Sequence, residues 1–428
     1  MTFARQSLGS LAVLVFGVAV SVLLPRILGP EARGEYQLAV NLAALVLAIA
    51  QWGIPEVLLQ LMGQGRATSG ALIGTSLCLG LAAAAAVAAV LGLAAPLFQD
   101  NLLRGIHPVL LWLTLGGSVA SLVALLTRRF IQLGGRLDVY NGLDVARTLL
   151  FLALVAAGGV LLPRQALGPI VAWLSGDVAL AIVATTFLWR QMRGSGRWAA
   201  QPILARELAR AGAPIQFGLL GMFVGSQGGL FVLNANLPLA SIGIYTVALS
   251  VSRLVLQISI ALRTALQPRL LTDEHDAAAV TTRVTRHGLI WMLLTAVALA
   301  AGAPLAPLVF GAGFEGVGPT LVLLLPGMVA YGVWQLLASH LLRIGRRGFL
   351  AVTAWLFGLA SIGLQALGAQ VFGLPGAAAG LSAAYLLAMI VVLVAFVRAS
   401  GRPARDLLPM PGDLAFYVGL TRRVLATR

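Results

Sequence analysis

Charged residues are scarce in this chain, and one type is missing altogether. Only 10% of the 428 residues are charged, and all 29 basic residues are arginine, so lysine is absent. A soluble domain carries roughly 25% charged residues. The absence of lysine excludes a P-loop nucleotide site, whose lysine contacts the phosphates. A single cysteine, Cys78, excludes a disulfide framework and a cysteine-rich zinc site.

Catalytic motifs are lacking as well. The sequence contains no His-Glu-x-x-His metal motif and no Gly-x-Ser-x-Gly nucleophile elbow. The acidic run from Asp273 to Asp276 includes His275, but its spacing matches no metal site. We therefore predict that the protein is not an enzyme and has no catalytic residue, metal site or cofactor. An intramembrane glycan polymerase or ligase is one alternative, which the short predicted outer loops disfavour.

Apolar residues dominate instead, at 59% of the chain with a mean hydropathy of +0.95. One soluble core could not bury so much apolar surface, so a bilayer must act as the solvent. The net charge of +15 would suit nucleic acid, but the arginines lie in short loops between apolar runs, so no nucleic-acid partner is expected. Twelve membrane crossings are predicted, near residues 7–28, 35–62, 70–98, 107–133, 137–162, 166–190, 210–235, 240–266, 285–310, 317–343, 347–372 and 374–398.

The distribution of arginine predicts the orientation in the membrane. When loops are numbered alternately from the N-terminus, one set carries most of the arginines. The other set holds only Arg26, Arg33, Arg104 and Arg164. Because cytoplasmic loops are enriched in arginine, both termini are predicted to be cytoplasmic. The protein is expected to be a multi-pass protein of a bacterial cytoplasmic membrane.

An internal repeat divides the chain. The segment that begins at Gly34 recurs at Gly243, an offset of 209 residues, and the apolar register then holds as far as Ile49 and Ile258. Such repeats are typical of two-lobed transporters. We predict an all-α integral membrane fold in which two six-helix lobes are related by a parallel repeat. The predicted boundaries are 1–190 and 210–398 for the lobes, 191–209 for a cytoplasmic linker with an amphipathic helix, and 399–428 for a basic cytoplasmic tail.

Charges at membrane depth are the main candidates for a site. Arg253 lies mid-way along the eighth crossing, with Gln257 one turn later and no acid in that crossing. Asp144 and Arg147 lie in the fifth crossing and Asp177 in the sixth. A mid-bilayer arginine costs on the order of 3 kcal/mol, so it needs a partner or a ligand. Either Asp144 neutralises Arg147 and Asp177 neutralises Arg253, or the arginines face a wet cavity and bind an anionic substrate.

Three further residues complete the candidate set. Arg26 ends the first crossing and either reaches the membrane interface or guards the outer mouth of a cleft. Gln227 and Asn234 belong to the seventh crossing, whose glycines and amides suit either a cavity lining or close helix packing. The candidate substrate-binding residues are therefore Arg253, Arg147, Arg26, Asp144, Asp177, Gln257, Gln227 and Asn234.

Several motifs, taken in order, carry a family resemblance. Residues 27–36, ILGPEARGEY, are similar to the Leu-Gly-Pro…Gly-x-Tyr junction between the first two crossings of polysaccharide flippases. Further matches lie at 53–56, 128–136, 241–269 and 373–380. The chain thus resembles the Wzx-type O-antigen flippases, which belong to the multidrug/oligosaccharidyl-lipid/polysaccharide exporter superfamily.

This resemblance implies a flippase that moves a polyprenyl-diphosphate-linked oligosaccharide across the cytoplasmic membrane by alternating access, for lipopolysaccharide or other surface polysaccharide. It implies a lipid-linked oligosaccharide and membrane lipids as partners, with the glycan polymerase and glycosyltransferases of the pathway as candidate partners, and a monomer. Family members often carry an acid in the seventh crossing where this chain has Ser226 and Gln227, so ion coupling there is not expected. A multidrug or small-solute exporter of the same fold is the main alternative.

The predicted topology can be tested by cysteine labelling after Cys78→Ser. A cysteine introduced at Ser195 should react only from the cytoplasm, because the linker 191–209 follows an even number of crossings. A cysteine at Ala312 should react only from outside. Labelling of the Ser195→Cys variant by an impermeant reagent in intact cells would contradict the twelve-crossing topology.

Overall fold

The computed structural model describes residues 2–64, 68–161, 165–191, 198–272, 277–410 and 413. Within these ranges every regular element is a helix. The tip of the predicted linker at 192–197, the acidic run 273–276 and the tail from residue 414 lie outside the described residues. The fold is therefore all-α, as the sequence predicts.

The helices follow one another along the chain with short connections. Their bounds are α1 Thr2–Ala50, α2 Ile54–Gln64, α3 Ser69–Phe98, α4 Pro108–Leu133, α5 Leu137–Leu161, α6 Leu167–Gln191, α7 Pro202–Phe223, α8 Gly229–Asn236, α9 Leu239–Ser252, α10 Leu254–Thr272, α11 Ala277–Gly302, α12 Ala306–Phe310, α13 Val317–Arg343 and α14 Arg347–Ser400. A π-helical turn, Val224–Gly228, joins α7 to α8, and a 3-10 turn, Ala303–Leu305, joins α11 to α12.

The two longest helices each provide two crossings. A straight α14 would be about 80 Å long at 1.5 Å per residue, far more than the roughly 30 Å of a bilayer core. It breaks at Gly373, which has φ 64°, and α1 breaks at Gly29, which has φ 73°. Only glycine adopts such values without strain. A proline follows each break by one or two residues and starts the next helix.

The described helices account for twelve crossings. Nine helical segments in the described ranges are long and apolar enough to span a membrane, and α14 is one of them although it is broken in two. The two halves of α1 complete the set, the second half continuing through a turn at 51–53 into α2. The protein is therefore a multi-pass membrane protein, and the sequence prediction of twelve crossings is confirmed.

The internal repeat is visible in the backbone. At the end of α4, Gly135 has φ 76°, and Arg136 N–H donates to the carbonyl oxygen of Ile131. At the end of α13, Gly345 has φ 78°, and Arg346 N–H donates to the carbonyl oxygen of Leu341. Both are the glycine-dependent Schellman ending of a helix. The same ending therefore recurs about half a chain apart.

The chain forms two compact units. The first comprises 1–247 with 306–316, and the second comprises 248–305 with 317–428. In the first unit α6 packs on α4 and α5, and α1 packs on α4 and α5. In the second unit α13 is central and packs on α10, α11 and α14. The predicted six-helix lobes, 1–190 and 210–398, remain a prediction.

Two glycines related by the repeat meet inside the first unit. A Cβ on Gly243 would overlap the carbonyl oxygen of Pro30, and a Cβ on Gly34 would overlap that of Leu239. The second half of α1 and the start of α9 therefore cross in backbone contact, which only small residues permit. The sequence repeat was detected at these two positions because glycine is required at both.

We expect Gly243→Ala to destabilise the protein, because its methyl group would push against backbone that cannot rotate away. Overpacking of this kind typically costs about 1–3 kcal/mol, so the thermal midpoint of the detergent-purified protein should fall by several degrees. The control is Gly142→Ala in α5, where a Cβ meets nothing within 4 Å. Equal midpoints for the two variants would contradict the close crossing.

Candidate functional site

Arg147 and Asp177 form an ion pair between α5 and α6. Arg147 Nε donates to Asp177 Oδ1 at 2.5 Å, and Ser121 Oγ on α4 donates to Asp177 Oδ2 at 2.5 Å. The Asp177 side chain is only 7% exposed. Burying a carboxylate is favourable only when charge and hydrogen bonds compensate it, and here both oxygens are satisfied. This triad ties together three helices of the first unit.

Asp144 has a different partner from the one expected. It pairs with Arg128 of α4, and the guanidinium of Arg128 also lies over the Tyr140 ring, 4.7 Å from its centroid. The predicted Asp144–Arg147 and Asp177–Arg253 pairings are therefore wrong. Three residues along a helix place Asp144 and Arg147 as neighbours, but a partner on another helix approaches each of them more closely.

A small cavity lies beside this pair. Its volume is about 220 Å³, and it is lined by Gln51, Pro55, Glu56, Leu125, Arg128, Arg129, Gln132 and Tyr140. Arg129 NH1 donates to Gln132 Oε1 at 2.7 Å. Arginines and a carboxylate thus line the same cavity, and one of the arginines, Arg128, is already paired with Asp144.

Arg33 is buried, although the sequence analysis placed it in an outer loop. It is 6% exposed, NH1 donates to Gln37 Oε1 at 2.9 Å, and the guanidinium lies 5.3 Å from the Tyr36 ring centroid. Its Nε has no hydrogen-bond partner among the described residues. The loop prediction for Arg33 is wrong because Pro30 starts the second half of α1, so Arg33 already lies within a helix.

The amides of the seventh crossing hold the first unit together. Asn234 is buried and donates to the carbonyl oxygens of Leu102 and Arg104 at 3.1 and 2.9 Å. Gln227 lies in the π-helical turn, and its carbonyl oxygen accepts from the Asn41 side chain at 3.0 Å. Turns of this kind free backbone groups that need partners. Substrate binding by Gln227 or Asn234 remains a prediction.

Arg26 caps the short helix α12. Its Nε donates to the Val309 carbonyl oxygen and its NH2 to that of Leu308, both at 2.6 Å. The last carbonyl groups of a helix lack partners within it, and a guanidinium satisfies two of them at once. The same arginine lines a cavity of about 700 Å³ that also contains Glu31 and Glu35. Arg26 therefore lines this cavity, and its role at the outer mouth of a cleft remains a prediction.

Arg253 lies at an interruption in the eighth crossing. It separates α9 from α10, and its carbonyl oxygen accepts from Leu256 N–H, three residues on, at 3.0 Å. The local helix is therefore tighter than an α-helix. Gln257, one turn later, is exposed.

The guanidinium of Arg253 is half-buried and without a partner in its unit. It makes no hydrogen bond or ion pair with the described residues of the second unit. Its nitrogens are not among the buried, unsatisfied atoms of the described chain, so they are accessible to water or ligand. The helices that pack in this unit, α10, α11, α13 and α14, contain no Asp or Glu. Among the described residues of its unit, the Arg253 side chain thus has no charged or hydrogen-bonding partner, and substrate binding by Arg253 remains a prediction.

Comparison with known proteins identifies the architecture. No protein-family model matches the chain, and no curated protein sequence does. Among solved structures, the lipid II flippase MurJ in an inward closed conformation superposes with a TM-score of 0.79 at 11% identity, covering 94% of this chain and 88% of that one. The chain therefore has the same helical fold, with twelve crossings, as this structure.

More distant similarity extends to drug exporters with this fold. A multidrug resistance MATE family transporter of the MOP superfamily, in an inward-facing conformation, gives a TM-score of 0.58 at 15% identity, covering 92% of this chain and 94% of that one. The MATE transporter VcmN of Vibrio cholerae gives 0.60 at 16% identity, with 94% and 96% covered. These structures therefore share the fold of this chain, and the family indicated by the sequence motifs remains a prediction.

A double-mutant cycle should show whether Arg147 and Asp177 stabilise one another. Asp177→Leu alone leaves the Arg147 charge uncompensated, and losing one partner of a buried pair costs about 3–5 kcal/mol. Arg147→Leu with Asp177→Leu should be clearly milder, because no unpaired charge remains. Unfolding in denaturant measures both. The control is Asp138→Asn, at an exposed pair with Arg136, which should leave stability unchanged. A double variant no milder than the single one would contradict mutual compensation.

Proposed function

We propose that the protein is a flippase, of the Wzx type, that moves a polyprenyl-diphosphate-linked oligosaccharide across the bacterial cytoplasmic membrane for surface polysaccharide export. The observation that carries this proposal is the guanidinium of Arg253, which lies in the middle of a membrane crossing and has no hydrogen-bond or ion-pair partner among the described residues of its unit. The similarity of the fold to the lipid II flippase MurJ supports it. So do the sequence motifs shared with polysaccharide flippases.

The position of Arg253 in the membrane and the shape of its guanidinium both point to an anionic ligand. An arginine at the centre of a crossing is unfavourable by roughly 2.5–3.5 kcal/mol on the insertion scale, so it is expected to face water or a ligand. Its planar fork can donate two hydrogen bonds to two oxygens of one phosphate group. A diphosphate supplies such oxygens at the boundary between a lipid tail and a polar glycan. Arg253 is therefore assigned to the diphosphate of the substrate.

The remaining candidate residues divide by their contacts. Arg147, Asp144 and Asp177 are engaged in ion pairs, so we assign them to the stability of the first unit rather than to the substrate. Gln257 is exposed one turn from Arg253 and is assigned to the same ligand. Arg26 is assigned to the outer cavity, where it fixes α12. The predicted cytoplasmic termini, monomeric state and pathway enzymes as partners belong to the same proposal.

A multidrug exporter is the second candidate, favoured by the similarity of the fold to MATE transporters. Two observations weigh against it. The TM-score is 0.79 for the MurJ structure but only 0.58 and 0.60 for two MATE structures. The half-buried guanidinium of Arg253, with no carboxylate on α10, α11, α13 or α14, would also repel a cationic drug.

The decisive variants are Arg253→Ala and Arg253→Lys, assayed in liposomes for translocation of a fluorescent polyprenyl-diphosphate saccharide. Hydrogen bonds to charged groups contribute about 1.5–3 kcal/mol, so Arg253→Ala should lower the transport rate at least tenfold at normal protein level. Arg253→Lys should be intermediate, because an ammonium keeps the charge and loses the fork. The matched control is Arg347→Ala, at an exposed arginine that begins α14 in the same unit.

Other outcomes would separate the alternatives. Normal transport by Arg253→Ala eliminates Arg253 as a head-group ligand, and loss of that variant from the membrane indicates a structural role. In cells, deletion of the gene should leave the lipid-linked saccharide facing the cytoplasm. Surface glycan that persists in the deletion strain would refute the flippase assignment, whereas drug sensitivity with normal glycan would favour an exporter.

A further inference from the structure

Four aromatic rings form a stack in the second unit, between α13 and α14. The ring centroids of Tyr331 and Tyr385 are 4.6 Å apart, and those of Phe357 and Tyr385 are 4.8 Å apart. Trp334 also packs against Tyr331, with centroids 5.6 Å apart and planes inclined by 23°. Near-parallel rings at these spacings attract one another when they are offset. Phe357 also lies 6.4 Å from Tyr331, so the four rings form one cluster.

Burial changes from one end of this stack to the other. Phe357 and Tyr385 are 6% and 3% exposed, whereas Tyr331 and Trp334 are half-buried. The two inner rings thus support two outer rings that retain accessible surface. A purely structural cluster would bury all four rings, because each fully buried aromatic side chain gains further apolar stabilisation.

Polar contacts hold the outer ring of Tyr331 in one orientation. A hydrogen bond links its hydroxyl to the Gln335 side chain. Ser259 Oγ of α10 in turn donates to Gln335 Oε1 at 3.2 Å, and both of these side chains are buried. A ring fixed by a buried network loses little further freedom on binding a ligand. The outer face of the stack is preorganised.

The surrounding charge selects the kind of ligand. Arg253 and Arg263 lie six and four residues along the chain from Ser259, which bonds to Gln335 one turn from Tyr331. No Asp or Glu occurs in α10, α11, α13 or α14. A flat cationic ligand would therefore meet two positive charges and no counter-charge on these four helices. A neutral ring that carries a negative group would find both an aromatic surface and a guanidinium.

We propose that Tyr331 and Trp334 form a stacking platform for the first sugar ring of the substrate, next to the diphosphate at Arg253. One face of a pyranose presents C–H bonds whose partial positive charge complements the negative face of an aromatic ring. The sugar hydroxyls remain free to bond to water and to neighbouring polar side chains. This assignment rests on the proposed function and adds to it the part of the protein that distinguishes a glycosylated head group from a bare one.

The test compares two probes that differ only in the sugar. These are a polyprenyl diphosphate and the same lipid bearing one N-acetylglucosamine, with the galactosyl form as a second sugar. Affinities for the purified, full-length protein are measured by native mass spectrometry. We expect Trp334→Leu to weaken binding of the glycosylated probes about five- to thirtyfold and to change binding of the bare diphosphate less than twofold. Arg253→Ala should weaken binding of all probes alike.

Three variants control for folding. Trp291→Leu removes an exposed tryptophan of α11 in the same unit and should leave all affinities unchanged. Tyr331→Phe keeps the ring and loses the hydroxyl, so it should retain most of the sugar preference, whereas Tyr331→Leu should lose it. Trp334→Phe should restore part of the affinity lost in Trp334→Leu. Thermal unfolding of every variant shows whether the fold is kept.

The outcomes distinguish this assignment from the proposed function. Equal affinity of the wild-type protein for bare and glycosylated probes, or an equal loss of both in Trp334→Leu, overturns the platform. Binding of neither probe by the wild-type protein overturns the platform and the flippase assignment together. A sugar preference that survives Arg253→Ala with unchanged affinities removes Arg253 from the head-group site and leaves the platform in place.

Discussion

A guanidinium inside a bilayer must be compensated, and the rest of this structure is arranged around that requirement. In the first unit compensation is internal: carboxylates on α5 and α6 pair with Arg128 and Arg147. In the second unit the helices α10, α11, α13 and α14 carry no carboxylate, and Arg286 of α11 pairs with Asp413, which lies beyond those helices. Arg253 has no hydrogen-bond or ion-pair partner among the described residues of its unit. The proposed diphosphate site depends on this lack of carboxylates in the four helices.

The internal repeat allows the two halves of the chain to be compared position by position. Backbone features are shared between the halves, as the matching glycine-dependent helix endings at Gly135 and Gly345 and the paired glycines Gly34 and Gly243 show. Side-chain charge is not shared, since Arg253 aligns with Ala44. Features that both halves keep are those that the crossings need to form. Arg253 and the aromatic cluster of α13 and α14 are not needed by the repeat, which is why we propose substrate roles for them.

The sequence predicted the crossings well because each depends on a local property, a run of apolar residues ended by glycine, proline or arginine. The sequence repeat also located Gly34 and Gly243, because two helices in backbone contact require glycine at the point of contact. Ion pairing was predicted poorly. Asp144 was matched with a neighbour on its own helix, whereas its true partner, Arg128, lies on α4. Pairing between helices depends on how they are rotated against one another, which a single sequence does not encode in its spacing.

The same pairing bears on how such a protein could be driven. Coupling to protons or sodium ions requires a carboxylate at membrane depth that can change its partner during transport. Asp177 is held by Arg147 and Ser121, so protonating it would leave a half-buried guanidinium unpaired at a cost of several kcal/mol. The helices α10, α11, α13 and α14 contain no carboxylate to take that role. A membrane potential acting on a bound diphosphate needs no such group, because the charge that moves is then the substrate's own.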